Sequence, residues 1–110
     1  MKFVLVTTTF ADREGADTMA GLLVERRLAA CVQVLMGVTS VYRWRGAIER
    51  DQEVLLIIKT RADLVGEIGR LFDEHHPYEV PELISVEIAD GSAAYLQWLS
   101  SSLAEGHPGR

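Results

Sequence analysis

Residues 31–60, CVQVLMGVTSVYRWRGAIERDQEVLLIIKT, carry the pattern of one long β-hairpin. The first arm, Val32 to Trp44, alternates. That spacing predicts Val32, Val34, Met36, Val38, Ser40, Tyr42 and Trp44 on one face, with Gln33, Thr39 and Arg43 on the other. The second arm is apolar at every position from Val54 to Ile58, the mark of a strand covered on both sides. Arg45-Gly46 supplies a tight reversal, because glycine tolerates a positive φ that a Cβ opposes. The polar run Glu49 to Gln52 is the alternative loop.

Arms of about 14 residues at ~3.3 Å each reach ~46 Å. A compact domain of this length is roughly 34 Å across. The tip is therefore expected to protrude, carrying Val41, Tyr42, Trp44 and Ile48. Apolar groups so placed need a cover, and a second copy of the chain is the economical one.

Working outward, Lys2 to Thr9 reads as a first strand, and Asp12 as the cap of a helix with Glu14 in its first turn. Ala16, Met19, Ala20, Leu23 and Arg27 fall on one stripe of that helix. After the hairpin, Thr60-Arg61-Ala62-Asp63 has the form of a capping box. Leu64, Val65, Ile68, Leu71, Phe72 and His75 then recur at helical spacing until Pro77 limits the helix. Leu83 to Ala89 is a last strand, and Asp90-Gly91-Ser92 opens a final helix with Tyr95, Trp98, Leu99 and Ser102 on one stripe. The order is βαββαβ plus a helix, an α+β ferredoxin-like arrangement with the fourth strand beside the first, then the third, and the second on the edge. An edge strand as long as Val32 to Trp44 again calls for a partner chain. One domain over residues 1–103 is expected, with 104–110 a frayed tail.

The chain has 110 residues, is 48% hydrophobic and carries a net charge of −5. That balance argues against nucleic acid or an anionic membrane as partner. No run approaches the ~20 apolar residues of a membrane span, and no signal-peptide cleavage pattern follows Met1. The single cysteine, Cys31, excludes an internal disulfide framework, and a reducing cytoplasm fits best.

His75-His76-Pro77-Tyr78-Glu79-Val80-Pro81-Glu82 is the densest polar cluster. Neutral imidazoles are common ligands for copper and zinc, so a metal or small-ligand site is one reading. The other is structural: adjacent helical residues point ~100° apart, and His75 continues the apolar stripe as a core histidine would. Cys31 reads either as a small buried apolar residue or as a soft-metal ligand. Tyr42-Arg43-Trp44-Arg45-Gly46 mixes aromatics with arginines as an RNA-binding surface does, or as an interface tip does. The third strand, Val54-Leu55-Leu56-Ile57-Ile58, has no aromatic to stack a base, which removes the RNA reading. No nucleophile motif or phosphate-cradling loop is present, so no enzyme is expected.

Taken together, Ala29-Ala30-Cys31-Val32, Ser40 through Gly46, Glu53 through Thr60, His76 through Glu82 and Tyr95-Leu96-Gln97-Trp98 resemble the CutA family of divalent-cation tolerance proteins. The resemblance runs from about Phe3 to Leu103. It implies a cytoplasmic homotrimer similar to the PII signalling proteins, linked to tolerance of copper and other divalent cations, with no established enzymatic activity and no organic cofactor. By the same resemblance Tyr42, Trp44 and Gly46 pack between subunits. Pro77-Tyr78 through Pro81-Glu82 line an inter-subunit cleft near Lys59, and His75 and His76 match the paired histidines of metal-binding members. Those members also use a cysteine late in the first strand, where this chain has Thr8, and Gln33 stands where an asparagine is usual. Two expectations follow: a copper-binding trimer with His75 and His76 as ligands (Cys31 third, zinc the second metal), or a PII-like regulatory module. The latter would take a small anion or a partner protein with Lys59, Tyr78, Glu79 and Glu82.

Overall fold

In the computed structural model, which describes residues 1–105, β1 (Phe3–Phe10) leads into α1 (Arg13–Glu25) and the hairpin of β2 (Cys31–Trp44) and β3 (Ala47–Arg61). A 3-10 turn (Ala62–Leu64), α2 (Val65–His75), β4 (Ile84–Glu87) and α3 (Ala93–Ser101) complete the chain. The four strands form one antiparallel sheet in the order β2-β3-β1-β4, the ferredoxin-like order expected. The tail assigned to 104–110 falls partly outside the described residues. Ala104 itself is tied down, its amide donating to the Arg27 carbonyl and its carbonyl accepting from the Arg61 guanidinium.

The core lies between the helices and one face of the sheet. Val4, Val6 and Phe10 of β1 and Val54, Leu56 and Ile58 of β3 meet Ala16, Met19 and Leu23 of α1 and Ile68, Leu71 and Phe72 of α2. Burying an aliphatic or aromatic side chain of this kind stabilises by about 1.5–3 kcal/mol before entropy is counted. Asp12 caps α1 as its position predicts, accepting from the Gly15 amide at 2.8 Å.

The opposite face of the sheet is apolar and uncovered in a single chain. Ile84 and Val86 of β4 are each 56% exposed, and Leu35 of β2 is 39% exposed. Leu55 and Ile57 are half-buried, so the all-apolar run of β3 has a cover on one side only.

The hairpin turns at Arg45-Gly46, both at positive φ (49° and 82°), which settles the reversal in favour of that dipeptide over Glu49–Gln52. The expected alternation along β2 does not survive intact. Leu35 pairs with Leu55 but Val38 pairs with Glu53, so one extra residue is accommodated around Gly37, whose φ is +77°. A glycine in this conformation is the usual device for such a bulge. Paired residues share a face. Val32 and Val34, opposite Ile58 and Leu56, therefore lie on the helix side, whereas Val38, Ser40, Tyr42 and Trp44 lie on the other.

Three further expectations are corrected. The capping box at Thr60–Asp63 does not form: Thr60 is the buried penultimate residue of β3 and donates to the Leu28 carbonyl, while Asp63 pairs with Arg61. The last strand is Ile84–Glu87, shorter than Leu83 to Ala89 at both ends. In α3 only Leu99 of the expected stripe is buried; Tyr95 and Trp98 are exposed.

Candidate functional site

Pro77 ends α2 at His75, as a proline must, and His76 is extended (φ −80°, ψ 131°). That change of backbone sends the two imidazoles apart. His76 turns inward, 9% exposed, with its ring stacked on Phe10 at 4.1 Å and edge-on to Phe72 at 5.5 Å. Its Nε2 lies 3.0 Å from the Thr9 carbonyl and 3.2 Å from Thr8 Oγ1, and its Nδ1 lies 3.2 Å from the Tyr78 amide. A carbonyl only accepts and an amide only donates, so Nε2 carries the proton and Nδ1 is bare. Burial lowers the His76 pKa from 6.5, opposed by the Thr9 hydrogen bond and the Glu53 charge. The satisfied core histidine is thus His76 and not His75, which sits half-exposed 3.7 Å from Glu74.

His75 borders a shallow hollow of ≈ 420 Å³ together with Asp12 and Glu14. Among the described residues no group of three or more His, Cys, Asp and Glu side chains converges at metal-ligating spacing. Cys31 pairs with Lys59, five positions along β3 from Val54, whose own partner Phe10 carries the His76 ring. Five residues of strand are about 17 Å, so Cys31 shares no ion with either histidine of its own chain.

From His76 the chain passes round the end of the sheet onto its uncovered face, where Glu82 accepts from Thr7 Oγ1 at 2.7 Å. Residues 77–82 and the hairpin then enclose a groove of ≈ 900 Å³. Tyr42 and Trp44 form one wall; Tyr78, Glu79 and Glu82 form the other. Asp51 and Glu53 of β3 line it from the hairpin side. Tyr78 donates to Glu53 at 2.6 Å and Tyr42 donates to Asp51. The hydrogen bond to Asp51 pushes the Tyr42 phenol up to about 12, and burial followed by the Glu53 bond raises that of Tyr78. Arg45 at the hairpin tip reaches back to Glu79 at 2.9 Å and ties the walls together.

Of the side chains expected in a cleft, Tyr78, Glu79 and Glu82 come together here, with Tyr42 and Trp44 of the hairpin tip beside them. Lys59 lies elsewhere, its Nζ 3.3 Å from the Tyr95 hydroxyl and over that ring at 5.5 Å. Gly46 makes the turn and is not among the residues lining the groove. Sequence reasoning gave no role to Asp51 or Glu53. Only the register shows it: acids opposite Ser40 and Val38 share the face of Tyr42 once the bulge is counted.

Comparisons with known proteins agree with this architecture. Residues 4–102 match the model of a family described as CutA1 divalent ion tolerance protein. A divalent-cation tolerance protein CutA from Thermus thermophilus is 44% identical over 95 residues, 86% of this chain and 92% of its own length. A chloroplastic CutA protein from Arabidopsis thaliana is 41% identical over 90% of this chain, which spans 54% of that longer relative. The crystal structure of CutA1 from Oryza sativa superposes with a TM-score of 0.93 at 38% identity, covering 96% of this chain and 97% of its own.

Proposed function

The chain belongs to the CutA1 divalent ion tolerance family, and from that premise we propose that it works as a cytoplasmic, non-enzymatic homotrimer that binds divalent metal, copper before zinc. The observation that carries the assembly is the bare sheet face, with Ile84 and Val86 more than half exposed and Leu35 exposed on the same side. Contiguous apolar surface of this kind marks an interface. Among the described residues the hydroxyl–imidazole contact of Thr8 with His76 is buried, which supports the absence of catalysis.

His75 is the first ligand of this reading, because its ring is accessible. His76 joins it only by giving up its bonds to Thr9 and Tyr78. Cys31 would need a ligand from another subunit. Calorimetric titration of copper into the native protein and into His75→Ala tests the assignment. Loss of a binding phase in the variant is expected; superimposable isotherms remove His75. Light scattering should return three times the 12.2 kDa of one chain, and a single-chain mass ends the trimer.

A second reading is favoured by the groove, whose ≈ 900 Å³ is ample for a small molecule. In it the protein is a PII-like regulatory module that senses a ligand between the hairpin and residues 77–82. Saturable stabilisation by that ligand with metal removed would distinguish it from the first.

A further inference from the structure

The protruding part of the hairpin has two faces of opposite sign. Beyond the Gly37 bulge Val41 is paired with Arg50 and Arg43 with Ile48, and paired residues share a face, so these four side chains lie together on the helix side of the sheet. The hydrogen bond from Gln52 to Thr39, one step nearer the domain on the same face, fits that register. Tyr42 and Trp44 oppose Glu49 and Ala47 on the other side, with Asp51 accepting from the Tyr42 hydroxyl. One face is therefore aliphatic and basic, the other aromatic and acidic. Nothing in the chain covers the basic face: Val41 is 52% and Ile48 67% exposed. Among the described residues neither Arg43 nor Arg50 is in an ion pair, and Glu49 across the ribbon is in none either.

Each face lacks what the other supplies. Aliphatic side chains pack on aromatic rings, a guanidinium favours the face of a Trp or Tyr ring, and carboxylates offset unpaired arginines. A two-fold contact sets one patch against itself, which here places like charges on like. The two faces also point in opposite directions. Two copies can make only one mixed contact, leaving an acidic face and a basic face bare, whereas a closed ring satisfies every face. Resting on the trimer proposed above, we infer that the Arg43 and Arg50 face of each hairpin is seated on the Glu49 and Asp51 face of the next copy, head to tail around the ring. The carboxylates of the hairpin then receive their counter-charge from a neighbouring chain.

Light scattering on the full chain at micromolar concentration tests this, with circular dichroism as the check on folding. The native protein should return three chain masses. Arg43→Glu/Arg50→Glu makes both faces acidic and should fall towards the 12.2 kDa of a single chain; Glu49→Arg/Asp51→Arg makes both basic and should do the same. Salt should restore part of the mass of each, because it screens the repulsion. The variant carrying all four substitutions exchanges the signs of the two faces and should regain three chain masses, a recovery that damage to the fold would not give. Arg43→Gln/Arg50→Gln, which only neutralises, should dissociate on dilution before the native protein does. Double charge reversals that keep the native mass overturn the pairing of faces and leave the trimer standing; so does a fourfold variant as small as the doubles. A native protein of one or two chain masses overturns the trimer and the pairing together.

Discussion

His76 is surrounded so that only its neutral form fits: Thr9 requires a proton on Nε2, and the Tyr78 amide requires none on Nδ1. Its pKa is lowered from 6.5, chiefly by burial. An unfolded chain with the ordinary value therefore binds more protons than the folded one as the solution is acidified. The stability that His76 contributes is complete above ~6.5 and is lost as pH falls below it. Urea midpoints measured from pH 8 down to pH 5 at fixed protein concentration should fall, and His76→Phe should flatten the part of that slope owed to this residue. His76→Ala, which removes the stack on Phe10 and two hydrogen bonds, is expected to cost about 3–5 kcal/mol. His75→Ala, on a half-exposed ring, should stay within about 0.5 kcal/mol. The sequence offered both histidines as ligands and His75, which continues the apolar stripe, as the core one; the structure reverses that, with His76 buried and His75 exposed. One peptide unit of helix decides which ring goes where, and helix ends are set by Pro77 together with the Phe10 surface waiting for a ring.

At the scale of the element, the bulge at Gly37 determines what the hairpin presents. With one residue fewer in β2, Tyr42 and Trp44 would pass to the helix side and Val41 and Arg43 would take the groove face. Deleting Gly37 should therefore leave a hairpin but abolish the groove wall, read as loss of assembly in light scattering. Gly37→Ala is gentler. The space around its Cβ is open, so the cost is the φ of +77° alone, about 1–2 kcal/mol in thermal or urea unfolding. The strands themselves, the Asp12 cap and the Arg45-Gly46 reversal were legible, because each rests on local chemistry. The bulge was not, since alternation on its own has no term for an extra residue and Gly37 looks the same in either register.

For the whole molecule, the uncovered sheet face carries the strongest prediction. Val86→Lys changes a side chain that is 56% exposed in the single chain. If neighbouring copies cover that face, the substitution buries a charge in each contact and should split the assembly, seen as a fall in mass by sedimentation or light scattering. An unchanged mass would show that subunits meet elsewhere. Groove and sheet face lie on the same side of the sheet, so a copy docking on that face would border the carboxylates of the groove.

By itself the sequence determined the order of strands and helices, the length of the hairpin and the presence of more apolar surface than one chain covers. Those properties follow from periodicity, turn chemistry and hydrophobic count, all of which are local or additive. Only the tertiary structure decided that His76 goes inward and His75 outward, and that Asp51 and Glu53 join Tyr42 and Tyr78. It alone placed Lys59 outside the groove. Each of these depends on register and on which surface meets which across the sheet, and a single shifted residue reverses the face of everything beyond it.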